Sequence, residues 1–248
     1  MPARLKLTLA YDGTLFAGWQ SQAHENTIQD QLEKAIRCVI GKAVRVHGAG
    51  RTDAGVHALA QCAHIDLPDR ARSPNDWQRT LNALLPAQIR VPHARYVSNK
   101  FHARFSATAK TYRYRIWAGP ILPPFEVNRA WHVTAPLDFG TISSAASMFA
   151  GKHDFRAFTA NRGKPNDNTE RTIRRVRTRK SSAMITIEFE GDGFLYKMVR
   201  LMVGSIVECA LGKIPLQSLK DRLSSPSAAS VARLVAPAAG LILVRIRY

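Results

Sequence analysis

The chain has 248 residues, 46% of them hydrophobic and 22% charged. These shares exclude a disordered or collagen-like polymer and suit one large domain or two of about 100 to 150 residues. Against 18 Asp and Glu stand 36 Lys and Arg, a formal charge of +18, which points to a polyanionic partner ahead of an anionic membrane surface or a merely solubilising excess.

The N-terminus is patterned from its start as a strand over residues 5–11, with Leu5, Leu7, Leu9 and Tyr11 on one side. It has no signal-peptide core and cleavage site. A helix opens at Asn26 or Thr27, with Asn26 and Gln29 placed for a capping box. It carries Ile28, Leu32, Ala35, Ile36, Val39 and Ile40 at helical spacing and stops at Gly41. Strands are expected near 43–47 and 57–67, separated by a Gly-rich segment. Ser73-Pro74 starts a second helix with Trp77, Leu81 and Leu84, Pro86 ends it, and a strand follows near 89–97.

The second half shows the same order. A strand at 111–117 leads through a Pro-rich loop, Pro120 to Phe125, to a helix near 138–150 with Ile142, Ala145, Ala146 and Phe149 inward. Two strands near 171–179 and 183–190 precede a helix at 194–210, a short helical piece near 216–223, a Ser/Ala-rich loop and a closing strand at 241–248. The apolar stretch 194–211 contains Lys197, Arg200 and Glu208 and is unsuited to a membrane span. The expected class is α+β: two tandem β-α-β-β-α-β halves of ferredoxin or RRM-like type, residues 1–105 and 106–248. Each is an antiparallel sheet backed by helices, with an active-site cleft between them. Cys38, Cys62 and Cys209 form no CxxC pair and fall in apolar segments, as reduced core residues of a cytosolic protein would.

The segment from Gly48 to Gly55 packs three glycines, Arg51, Thr52 and Asp53 into eight residues. It is neither a dinucleotide fingerprint, because Asp53 occupies the third glycine position and a strand follows, nor a P-loop, because GK[ST] is missing. A tight loop whose aspartate caps its own backbone is one reading. The other is a carboxylate displayed on a rigid turn, kept ionised by Arg51 and able to act as nucleophile or base. Between 171 and 180, six of ten residues are Arg or Lys. There Arg175, Arg177 and Arg179 share one strand face, where repeated like charge favours phosphate contact. Lys110 to Arg115 interleaves aromatic and cationic side chains, so a base could stack on Tyr while Arg takes the backbone. The histidines show no zinc spacing, and His57 and His102 suit structural roles better than substrate contact.

Gly50-Arg51-Thr52-Asp53-Ala54-Gly55-Val56-His57-Ala58 resembles the catalytic signature of the TruA family of tRNA pseudouridine synthases. Four further blocks fit in the same order: Tyr11-Asp12-Gly13-Thr14 with Phe16 to Gln20; Phe101 to Ala107 through Tyr112-Arg113-Tyr114; Gly193 to Arg200 with Val203-Gly204-Ser205; and Ala236 to Leu241. The resemblance implies isomerisation of uridine to pseudouridine at positions 38 to 40 in the anticodon stem-loop of tRNA. It also implies a cytoplasmic homodimer and no cofactor or metal. By it Asp53 is the essential carboxylate, Tyr112 stacks on the target uracil, Arg51 and Leu195 belong to the substrate site, and Arg200 pairs with the aspartate. Whether the carboxylate attacks C1', takes the C2' proton or attacks C6 stays open. The rival is a non-catalytic RNA-binding protein with two RRM-like halves, which leaves the GRTDAG loop unexplained.

Overall fold

The computed structural model describes residues 3–23, 26–160, 168–224 and 231–248. Two compact units divide the chain: Met1–Thr108 with Ile242–Tyr248, and Ala109–Leu241.

In unit 1, β1 (Ala3–Tyr11) lies between β4 (Ile89–Val97) and β3 (His57–Leu67), antiparallel to both. Leu5, Leu7 and Leu9 are completely buried, each worth about 2 kcal/mol by the area it removes from water. Helices α1 (Ile28–Ile40) and α2 (Pro74–Leu84) bury Ile28, Leu32, Ile36, Trp77 and Leu81, whereas Leu84 is exposed. The capping box of α1 falls one residue later than the pattern suggests. Thr27 accepts from the Asp30 amide, and Asp30 Oδ2 accepts from the Thr27 amide (both 3.2 Å). Asn26 and Gln29 are engaged elsewhere: Asn26 Nδ2 donates to Leu15 O, and the buried Gln29 donates to Glu33 and to Val46 O. That last bond also explains why the strand expected at 43–47 shrinks to β2 (His47–Gly48). The backbone of Val46 is satisfied by Gln29 and by Glu33 Oε1 (2.9 Å), side chains of α1, rather than by a ladder.

The terminal strand, β10 (Leu241–Arg247), groups with unit 1 from Ile242 onward. It runs parallel to β3 at Ile242↔His57 and Leu243↔Ala58, on the edge whose other end takes β2 at His47↔His64 and Gly48↔Ala63. Its end is locked by Thr108 N–H to Arg247 O (2.9 Å), Tyr248 Oη–H to Ala103 O (2.9 Å), and Lys6 Nζ 3.7 Å from the Tyr248 ring centroid. Periodicity marks a strand but not the edge it joins.

In unit 2, β5 (Ala109–Trp117), β9 (Met184–Gly191), β8 (Glu170–Ser181) and β7 (Gly151–Asp154) pair antiparallel in that order. The two-residue β6 (Trp131–His132) runs parallel to β5. Strands β6 and β7 are too short to leave a period in the sequence. Helix α3 (Phe139–Ser147) buries Ile142, Ala145 and Ala146, and Phe149 beyond it gathers the rings of Phe155, Phe158 and Phe189. Helix α4 (Met198–Ala210) begins four residues later than expected, because Lys197 adopts a left-handed φ of 58° and ends a turn holding Phe194 and Leu195. A Cβ on Gly204 would fall on Leu234 O, so this glycine lets α4 lie against the chain returning to β10. Helix α5 (Leu216–Ser224) donates Arg222 Nη1 to the buried Ser205 Oγ (3.0 Å). Most of the Ser/Ala-rich stretch lies outside the described residues. Cys62 and Cys209 are buried, but Cys38 is exposed on α1 rather than in the core. No described helix is long and apolar enough to cross a membrane.

His64 on β3 is buried between the rings of His47 (4.9 Å, stacked) and His102 (4.8 Å, edge-on), and its Nδ1 accepts the Ala103 amide (3.1 Å). Burial, then the charges of Arg4, His47 and His102, push its pKa down to about 4. The unfolded value is near 6.5, so between the two values the unfolded chain binds the extra proton. Stability is therefore full above about pH 6.5 and falls toward pH 4, by up to about 3 kcal/mol. Urea midpoints measured from about pH 7 to pH 5 should drop in the wild type and drop less in His64→Asn; equal slopes would exclude His64 as the source.

Candidate active site

The Asp53 loop is held from beneath by the opening segment 11–19. Trp19 N–H donates to Thr52 O (3.0 Å), and Tyr11 Oη shares a 2.9 Å hydrogen bond with Thr52 Oγ1. Burial pushes the Tyr11 phenol up to about 12, against the Thr52 and Gln61 hydrogen bonds, so it stays protonated. Gly18 has φ +93°, and a Cβ there would lie 2.6 Å from Thr52 O and 3.0 Å from the Asp53 carbonyl carbon. Gly48 abuts the Trp19 indole, and Gly13 abuts Val56 O more closely still. Ala49 is buried with Cys62 and Ala103, while Gln61 donates to Gly50 O (2.9 Å) and accepts the Cys62 amide (3.0 Å). The loop closes with Val56 N–H to Asp53 O (3.2 Å) and with Gly55 at φ +77°.

The Asp53 side chain is partly exposed on this braced turn. Arg51 is exposed and donates Nε to Gln20 Oε1 (3.1 Å). Gln20 in turn donates to Gln29 on α1 (2.8 Å), so Arg51 ties the loop to the helix. His57 is buried, and its Nδ1 accepts the Gly13 amide (3.1 Å); His102 Nδ1 accepts the amides of Arg104 and Phe105. Both rings thus hold backbone amides, and His57 Nδ1 also lies 3.2 Å from Asp12 Oδ1. Composition and periodicity give Tyr11, Gly18 and Trp19 no part in supporting the loop; the resemblance marks them as a motif block without saying what they hold.

Tyr112, Leu195 and Arg200 belong to unit 2. Tyr112 stands opposite Phe189 on β5, largely buried, with the edge of Phe194 4.9 Å away at 77°. Leu195 is partly exposed in the turn before α4, where Leu195 O accepts the Met198 amide (3.1 Å). Arg200 and Ala236 grip each other twice, Arg200 Nε to Ala236 O (2.7 Å) and Ala236 N–H to Arg200 O (3.1 Å). Tyr114 Oη donates to Pro237 O (2.7 Å), its phenol pKa raised by burial, and Gly240 leaves room for that ring. The closing motif is thus pinned to β5 and α4.

Tyr112 and Tyr114 are buried together, and Arg113 and Arg115, on the other face of β5, form ion pairs with Glu188 (2.6 Å) and Glu126 (2.7 Å). Alternation on the strand therefore separates the aromatic from the cationic side chains, and one face cannot stack a base and hold its backbone at once. On β8, Arg175, Arg177 and Arg179 lie opposite Glu190, Glu188 and Thr186 with their side chains toward solvent, and among the described residues none of the three forms an ion pair.

The model of a family described as tRNA pseudouridine synthase matches residues 8–106 and 145–248. The chain is 46% identical to tRNA pseudouridine synthase A of Akkermansia muciniphila, over 99% of this chain and 95% of that one. It is 41% identical to the protein of that name in Methylacidiphilum infernorum (98% and 94%) and 42% identical to that of Maridesulfovibrio salexigens (99% and 90%). With the family model covering most of both units and relatives of this identity covering nearly all of the chain, it belongs to the tRNA pseudouridine synthase family.

Proposed function

We propose that the chain isomerises uridine to pseudouridine in the anticodon stem-loop of tRNA, with Asp53 as its essential carboxylate. The observation that carries this reading is the Asp53 turn, whose backbone is held by the opening segment in a chain of this family. The reaction breaks the C1'–N1 bond, turns the uracil and joins C5 to C1'. N1 gains a proton and C5 loses one, so electrons and atoms balance without an oxidant. Charge develops on sugar and base as the bond breaks, and a fixed carboxylate is worth most where it need not reorganise. Asp53 can attack C1', take the C2' proton or attack C6; each route uses the same ionised side chain.

The target base is stacked in an RNA stem and must leave it to react. Tyr112 is the surface for the extruded uracil, and Arg51, Leu195 and Arg200 bind the substrate. Arg175, Arg177 and Arg179 take the RNA backbone, a role supported by their exposure and by strand spacing of about 6.7 Å between alternate residues. The protein works in the cytoplasm as a homodimer.

Tritium release from a tRNA transcript labelled at uridine C5 reads the reaction directly. Wild type should release it without added metal or cofactor, and Asp53→Asn should bind the transcript and release none. Turnover by Asp53→Asn removes the carboxylate from the mechanism. Replacing Arg175, Arg177 and Arg179 together by Gln should raise KM about tenfold with kcat within about twofold, and should flatten the slope of log affinity against log salt by about 2. Unchanged affinity and slope would clear β8 of RNA contact.

A further inference from the structure

Phe105 is 77% exposed, yet nothing about it is loose. The turn that carries it is closed by four hydrogen bonds: Ser106 N–H to His102 O, His102 N–H to Ser106 Oγ, and the Arg104 and Phe105 amides to His102 Nδ1. Beneath it, Ala103 is completely buried, donates its amide to His64 and accepts from the Tyr248 hydroxyl. The Phe105 ring rests 4.3 Å from the His102 ring at 32°, and His102 stands 5.9 Å from the exposed His47. Beyond His47 opens a recess of about 400 Å³ whose polar lining is Lys42, Arg45, His47 and Asp66, beside the apolar Ala43, Val44, Leu67 and Pro68. The carboxylate of Asp66 is already held by Arg4 (2.7 Å), which leaves the positive charge of Lys42 and Arg45 to set the sign of the recess.

A lone, rigidly displayed ring beside a cationic recess has the two parts that hold single-stranded nucleic acid, a stacking surface and a phosphate site. A protein partner would ask for a contiguous apolar patch, and the neighbours of Phe105 are Arg104, His102 and Ser106. We infer that this surface of unit 1 binds an unpaired segment of the RNA substrate, one base stacked on the outer face of Phe105 and a phosphate further along the strand held by Lys42 and Arg45. The inference rests on the tRNA reading above and adds a contact site separate from Asp53. The platform shares its footing with the catalytic loop, since Ala103 packs against Ala49, four residues ahead of Asp53. A nucleotide held there would fix the register of the strand entering the loop.

The test is binding of a tRNA transcript to the full chain across a salt series, with pseudouridine formation measured in parallel. Phe105→Ala should weaken binding about tenfold, whereas Phe105→Trp, which keeps a stacking face, should stay within about twofold of wild type. Lys42→Ala with Arg45→Ala should flatten the salt slope by about 1.5. All should keep the wild-type kcat at saturating RNA. Phe105→Ala and the double variant binding like wild type, or Phe105→Trp failing as badly as Phe105→Ala, would overturn the assignment. If these variants weaken binding but the wild type makes no pseudouridine, the isomerase reading falls and the nucleotide site stands. If pseudouridine forms and every variant binds normally, the reverse holds.

Discussion

The hydrogen bond from Trp19 N–H to Thr52 O, with Gly18 pressed against the same turn, is the constraint on which the Asp53 loop depends. It brings the end of the opening segment against the residue before Asp53, closer than any side chain at position 18 would permit. Tyr11, at the end of β1, holds the Thr52 hydroxyl, and Gly13 admits the backbone of Val56. The conformation of Asp53 is thus set by the opening segment together with the loop's own turn, closed by Val56 N–H to Asp53 O and by Gly55. A short loop rich in glycine would otherwise sample many conformers and lose that entropy each time it acted.

Unit 2 is organised by a comparable grip. Arg200 and Ala236 exchange two hydrogen bonds, Tyr114 holds Pro237, and Gly204 and Gly240 remove the side chains that would keep α4 and β5 from the returning segment. The charge of +18 is distributed unevenly over this frame. Arg113 and Arg115 are matched by Glu188 and Glu126, while Arg175, Arg177 and Arg179 of β8 are left facing solvent. The Arg113–Glu188 pair bridges β5 and β9, and the unmatched cations lie where a polyanion can reach them.

Much of this is legible in the chain itself. The alternation of Leu5, Leu7 and Leu9, the spacing of Ile28, Leu32 and Ile36, and the punctuation of Gly41, Ser73-Pro74 and Pro86 correspond to elements whose burial is local and periodic. The failures are long-range. Only Gln29 and Glu33 reaching across from α1 explain why 43–46 is not a strand, and only the pairing of Ile242 with His57 explains why the last strand joins β3 of the first unit. The late start of α4 turns on the φ of a single lysine. At the candidate site, Asp53 stands out by composition, but its braces do not. Gly18 and Trp19 carry no chemistry, and their importance lies in a distance of about one atom to Thr52 that no period encodes.

The most direct test of a carboxylate positioned by the opening segment is kcat for pseudouridine formation by Gly18→Ala, with tRNA affinity and the urea midpoint measured on the same protein. The added methyl must displace the Thr52–Asp53 peptide. The account predicts a folded variant that binds tRNA normally and turns over at least about a hundredfold more slowly. A folded variant with wild-type kcat would contradict it.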